Sequence, residues 1–240
     1  MSEKYHIKHI GRIMKEKQIK SKKRVSEHGE VFTREREVNA MLDMVKPESE
    51  RIDSRFLEPA CGTGNFVAVI LRRKLDTVQR LYKQNPADYE KYAIVAISSI
   101  YGIDILKDNV VECRERLYDI WNEAYTVHCK KDATDECRKA ARYIIGKNIL
   151  CGDALTMLKN DGSPIIFAQW DLVMGNKIKR RDYKLNELMR DDFTGPQLTL
   201  DLWAGQNGYE YDEEINAWVP GPVKEYPLMD YREVFYADKN

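Results

Sequence analysis

The segment Phe56-Leu57-Glu58-Pro59-Ala60-Cys61-Gly62-Thr63-Gly64-Asn65-Phe66 constrains the fold of this chain more than any other. An apolar strand runs into a turn that carries two glycines, and an apolar helix (Val67, Val69, Ile70, Leu71) follows. Glycine serves where backbone must turn tightly or approach a ligand closely, and the free amides of a helix start lie beside such a turn. Glu58, at the strand end, can accept hydrogen bonds from an ammonium group. The third glycine of the dinucleotide fingerprint is absent, and Asn65 follows instead. The string therefore predicts a β–turn–α unit; the two-glycine spacing alone is weak evidence for a ligand at the turn.

The rest of the chain supplies partners for that unit. Apolar periodicity predicts helices over residues 35–45, 66–83, 88–98, 107–127 and 134–145, with Asn85-Pro86 as a breaker and Pro47 closing the first. Strands are predicted at residues 55–58, 100–105, 148–151 and 171–174. Strands alternating with helices predict an α/β fold with a mostly parallel sheet flanked by helices. Residues 1–24 read as a basic helical extension, broken at Ser26-Glu27-His28-Gly29, and residues 25–190 as one ligand-binding domain. After Asp191 the periodicity weakens among glycines and prolines, so residues 191–240 read as an acidic tail that is irregular or forms short strands.

Formal charge is balanced, with 39 basic and 39 acidic residues, which removes any global polyelectrolyte argument for nucleic acid. Locally, residues 1–24 hold nine Lys/Arg, whereas residues 191–240 hold eleven Asp/Glu. Such runs are most often solvated faces. The five cysteines are scattered without a CxxC pair, which predicts no metal site and reduced thiols. A thiol at a helix start, as at Cys61, can also be activated. No apolar run suits a signal peptide or a bilayer span, so a cytoplasmic location without membrane contact is expected.

In open α/β sheets the ligand sits beyond the carboxyl ends of the strands. Four signatures fall at such ends. They are the Glu58–Phe66 loop, Asp104 in Tyr101-Gly102-Ile103-Asp104-Ile105, Asp153 in Cys151-Gly152-Asp153-Ala154, and Asp171-Leu172-Val173-Met174-Gly175-Asn176. An acidic group at Asp104 can accept ribose hydroxyls, and one at Asp153 an exocyclic amine. Each aspartate taken singly also reads as a strand-end cap.

In order and wording these four resemble motifs I to IV of the gamma-class N6-adenine DNA methyltransferases, type I modification subunits included. Upstream, Gly29-Glu30-Val31-Phe32-Thr33 resembles that family's motif X, with Arg34 where proline is usual. The resemblance covers residues 27–176. It implies a Rossmann-like domain that uses S-adenosyl-L-methionine (SAM), contacted by Thr33, Glu58, Cys61, Gly62, Gly64, Asn65, Phe66, Asp104, Ile105, Asp153 and Ala154. It implies DNA adenine-N6 methylation of the restriction–modification type, with Asn176 and the Lys177 carbonyl orienting the target amine. The family's Asp/Asn-Pro-Pro-Tyr is here Asn176-Lys177-Ile178-Lys179, which lacks both prolines and the stacking ring. Lys177, Lys179, Arg180, Arg181 and Lys184 read either as phosphate contacts for weak DNA binding or as a solvated charge run. A target-recognition domain is not evident. The alternative is therefore a non-catalytic SAM-binding subunit or sensor that relies on a partner or specificity subunit.

Overall fold

The computed structural model describes residues 19–189, 209–212 and 217–239. It opens with three helices, α1 (Lys22–His28), α2 (Glu35–Met44) and α3 (Lys46–Glu50). α1 runs through Ser26 and Glu27, where the sequence predicted a break, and ends at Gly29 with φ +63°. Pro47 stands in the first turn of α3 and so opens that helix, as its fixed φ and missing N–H allow.

The centre alternates strand and helix: β1 (Phe56–Glu58), α4 (Asn65–Tyr82), α5 (Pro86–Ser98), β2 (Ile100–Asp104), α6 (Lys107–Cys129), α7 (Asp135–Asn148) and β3 (Ile149–Cys151). β1, β2 and β3 form a parallel sheet in that order, with β2 in the middle and buried throughout. α4 buries Val67, Ile70, Leu71, Leu75 and Val78, the helical spacing of one apolar stripe. Asn85 accepts the amides of Ala87 and Asp88 ahead of α5, and Thr134 accepts that of Cys137 ahead of α7. The main core joins α4–α7 through residues such as Leu71, Ile94, Trp121 and Ile144, so the architecture is α/β with a parallel sheet flanked by helices.

The sequence-predicted short strand at 171–174 is instead the end of a long one. β4 (Ile166–Met174) turns at Gly175-Asn176 into β5 (Lys177–Lys184), and the two pair antiparallel as a hairpin. A short helix, α8 (Leu185–Leu188), follows. A second hairpin, β6 (Tyr209–Asp212) with β7 (Ala217–Pro220), precedes β8 (Lys224–Glu225) and β9 (Met229–Asp230). β8 and β9 both pair with β5. A 3₁₀ segment, Tyr231–Lys239, then buries Tyr231, Val234 and Ala237. Residues 224–239 thus include short strands, one of the two forms expected of the tail, and they pack into the folded body. The basic extension before Ile19 and the remaining tail residues lie outside the described residues. Among the described residues no helix is long and apolar enough to cross a membrane.

Candidate ligand site at the carboxyl edge of the parallel sheet

The glycine turn is built by hydrogen bonds that tie it to the neighbouring strand. Cys61 donates its amide to the Ile103 carbonyl (2.8 Å), and Gly64 donates to the Cys61 carbonyl (2.8 Å). Gly62 donates to Asp104 Oδ2 (2.9 Å). Gly64, with φ +87°, is the residue before α4, and no side chain caps that helix. A Cβ on Gly64 would lie 2.7 Å from Cys113 Sγ, so both the backbone angle and the space require glycine. The result is an 18-residue helix whose first amides face the carboxyl edge without a side-chain acceptor.

The upstream segment docks on this turn. The Thr33 carbonyl accepts from Asn65 Nδ2 (3.2 Å), and the Phe32 ring would touch a Cβ on Gly62 at 3.2 Å. Asn65 Oδ1 also accepts from Arg116. Phe66 is half-buried against the main core. Thr33 and the glycine turn, about 30 residues apart in sequence, therefore meet.

Three carboxylates stand at the ends of adjacent strands. In the sheet register Glu58 is level with Gly102 and Asp104 with Cys151, so Glu58, Asp104 and Asp153 share one edge. Among the described residues Glu58 Oε1 accepts one long bond, from the Ala60 amide (3.3 Å). Burial raises its pKa above the usual carboxylate range, with the Ala60 bond opposing. Asp104 is nearly buried, and its Oδ1 accepts from the Leu106 amide (2.8 Å) and Asn109 Nδ2 (3.2 Å). With Gly62 on Oδ2, three of its roughly four acceptor positions are taken, and the open one is on Oδ2. Asp153 Oδ1 caps the Leu155 amide (2.8 Å). Ile105, half exposed, and Ala154, packed beneath against the Tyr101–Phe167 cluster, add apolar surface to the same edge.

Cys61 does not behave as an activated thiol. Its hydrogen bond with Cys113 and then its burial hold its pKa far above the ordinary thiol value, and Asp104 and Glu58 push the same way. Cys61 serves as a small side chain under Gly102, where a Cβ would lie 3.0 Å from it. Among the described residues no group of three or more His, Cys, Asp or Glu is placed to hold a metal ion.

Asn176 and Lys177 are not brought to this edge. Ile165, just before β4, sits against Gly152 after β3, where a Gly152 Cβ would meet its side chain at 2.9 Å. Trp170 Nε1 donates to Asn148 Oδ1 (2.9 Å), ahead of β3, and Asp171 Oδ1 accepts from Arg55 (2.8 Å), ahead of β1. β4 therefore runs from the carboxyl edge to the amino edge, and its turn at Gly175-Asn176 projects beyond the amino ends. Asn176 is exposed, and its carbonyl accepts the Tyr231 amide (3.0 Å).

The basic run in β5 is largely neutralised. Lys179 pairs with Glu225 (2.7 Å), and Arg181 with Glu225 (3.2 Å) and Asp171 (3.4 Å). Lys184 pairs with Glu187 (2.9 Å). Buried Arg180 binds both oxygens of Asp182 (2.7 Å each) and Asp238 (2.9 Å). A cleft of about 520 Å³ opens at the same amino edge, between Arg51, Arg55, Tyr92, Ser99, Trp170 and Asp171. Its guanidiniums are paired with carboxylates, Arg55 with Asp171 and Arg51 with Asp53, so it offers no unmet charge.

Sequence reading passed over Asn109, which donates to Asp104, and over Arg24 and the Glu30 side chain, which bond to Asn109. They come from segments about 80 residues apart, and only Glu30 lies within a motif-like string, Gly29–Thr33. Comparisons of the chain with protein-family models, with curated proteins and with solved structures find no match.

Proposed function

We propose that this chain is a Rossmann-like, methyltransferase-type module that binds SAM at the carboxyl edge of β1–β3. The observation that carries the reading is the Gly62–Asp104 bond, which ties a two-glycine turn to a strand-end carboxylate beside an uncapped helix start. The residues fit the ligand. Glu58, with one weak backbone bond, has acceptor capacity for the methionine ammonium, and Asp104 has an open acceptor on Oδ2 for a ribose hydroxyl. Ile105 and Ala154 offer apolar contact to adenine, and Asp153 an acceptor for its amine. Thr33, Cys61, Gly62, Gly64, Asn65 and Phe66 shape the turn against which the amino-acid part lies. When bound, SAM supplies an electrophilic methyl group.

The acceptor in this reading is adenine N6 of DNA, as in restriction–modification enzymes, with Asn176 and Lys177 as the positioning pair. The hairpin favours a narrower version. Methyl transfer requires the target amine in line with the sulfonium methyl, at near contact. A turn beyond the amino edge of the sheet does not meet that requirement, and the charge-paired β5 leaves few cations for phosphate. We therefore favour a SAM-binding subunit whose target-recognition elements come from a partner chain. The test is calorimetry with SAM and S-adenosylhomocysteine, alongside incubation with methyl-labelled SAM and DNA, RNA and protein acceptors. Micromolar binding without transfer supports the subunit reading, brisk formation of N6-methyladenine restores the enzyme reading, and absence of cofactor heat removes both.

A further inference from the structure

Asn109 is 1 % exposed, and its amide lies among four charged side chains. Its Nδ2 donates to Asp104 Oδ1 (3.2 Å) and to Glu30 Oε1 (2.6 Å). Its Oδ1 accepts from Arg24 Nη2 (3.0 Å) and Lys20 Nζ (2.9 Å). Two carboxylates on one side and two cations on the other allow a single orientation of the amide. The flipped form would set its N–H groups against cations and its oxygen against carboxylates. Arg24 also clamps Glu30 (2.6 Å) and Asp108 (2.5 Å), so the whole group links α1 to the start of α6.

The consequence falls on Asp104. Its Oδ1 is occupied by Leu106 and Asn109, which turns Oδ2 toward Gly62 and leaves the open acceptor position there. We infer that Asn109, oriented by Arg24 and Glu30, is a positioning residue that fixes which Asp104 oxygen receives a ribose hydroxyl. The residue does not touch the ligand in this arrangement; it acts through Asp104. The segment ahead of Phe32 thereby becomes part of the adenosine side of the site, in addition to the turn it covers. This inference rests on the cofactor reading above.

A purely structural role would weaken every ligand alike, whereas positioning for ribose weakens only ligands that carry the hydroxyls. The experiment is displacement of labelled S-adenosylhomocysteine from the full chain by adenosine and by 2′,3′-dideoxyadenosine. Asn109→Leu should lower adenosine affinity about tenfold, the effect of one hydrogen bond to a charged group. Dideoxyadenosine affinity should change less than about twofold. Arg24→Ala, at a partly exposed site that leaves the core intact, should show the same selectivity at about threefold, and Glu30→Gln, which keeps an acceptor for Asn109, should stay close to wild type. Equal losses for both nucleosides, or none in either variant, overturn the inference while leaving the cofactor reading in place. A wild-type chain that fails to bind labelled S-adenosylhomocysteine overturns both.

Discussion

Two side-chain positions have consequences that can be measured one residue at a time. Gly64 combines φ +87° with a Cβ direction 2.7 Å from Cys113 Sγ. Gly64→Ala should therefore lower stability by about 2–3 kcal/mol, from left-handed strain plus a sulfur contact. In a Cys113→Ala background the same change should lose less, since only the backbone part remains; urea unfolding of the four variants checks this. Lys74 is fully buried among oxygens, donating to Ser54 and Ile52 carbonyls and to Ser99 Oγ. Desolvation pulls its pKa down to about 7, against an ordinary 10.5. Below pH ~7 folded and unfolded chains both hold the proton, so its contribution is flat there. Above it the unfolded chain keeps a proton that the folded chain has released, so stability rises with pH. Near pH ~8.5 the opposite begins, because buried thiols such as Cys137, whose pKa burial holds far above the ordinary thiol value in the native protein, ionise first in the unfolded chain. Between pH ~7 and ~8.5 the wild type should gain up to about 2 kcal/mol, and Lys74→Met should abolish the increment. Identical urea midpoints at the two pH values in the wild type would refute it.

Among elements, the β4–β5 hairpin separates what was legible in the sequence from what was not. β1, β2, β3 and the helices between them follow from apolar runs at helical or strand spacing, and their ends agree within a few residues. β5 was not legible because its inward face is Ile178, Arg180 and Asp182, with an ion pair in place of apolar side chains. Lys-Ile-Lys-Arg-Arg-Asp-Tyr-Lys therefore reads as a charge run, although Gly175-Asn176 between two extended segments carries a two-residue turn signal. The site was legible to the extent that it is local: the glycine turn, Glu58, Asp104 and Asp153. What assigned Asn176 to the site was the order of motifs, which does not report strand direction. From the hairpin, Asn176→Ala and Lys177→Ala should leave SAM affinity unchanged and stability within ~0.5 kcal/mol, because both side chains are exposed in or beside a turn. Restoring the family's residues by Lys177→Pro, Ile178→Pro and Lys179→Tyr should unfold the hairpin rather than create activity. Prolines there remove ladder donors where β5 pairs with both β4 and β9. A triple variant with wild-type stability and faster methyl transfer would contradict the hairpin's structure.

At the scale of the whole molecule, the chain closes on itself through Glu90. This side chain is 4 % exposed and sits on α5, yet its carboxylate gathers three donors from distant segments. Tyr125 of α6 donates to Oε2 (2.5 Å), while Tyr231 (2.8 Å) and Arg232 (2.6 Å) donate to Oε1. Tyr125 in turn accepts the Thr134 amide at the start of α7 (2.8 Å), so one buried charge links α5, α6, α7 and the C-terminal 3₁₀ segment. Burial drives the Tyr231 hydroxyl far above its ordinary pKa, with the adjacent carboxylate acting the same way, so it remains a donor throughout the physiological range. Apolar packing of Tyr231 and Val234 on the main core supplies the rest of this closure. Charged groups so placed are expensive to orphan: Glu90→Leu leaves two tyrosine hydroxyls and a guanidinium without their acceptor, and should lower stability by about 3–5 kcal/mol. Glu90→Gln keeps an acceptor oxygen and loses the charge, and should fall between that variant and the wild type. Arg232→Ala, at a partly exposed position, should have the smallest effect of the three. The carboxyl-edge site lies at the ends of β1–β3 and in the turn after β1, away from Glu90's partners Tyr125, Tyr231 and Arg232, so Glu90→Gln should keep its ligand affinity while melting earlier. Thermal unfolding monitored with and without S-adenosylhomocysteine separates the two effects. If Glu90→Gln melts with the wild type, the C-terminal segment is held by its apolar face alone, and the carboxylate has no part in closing the fold.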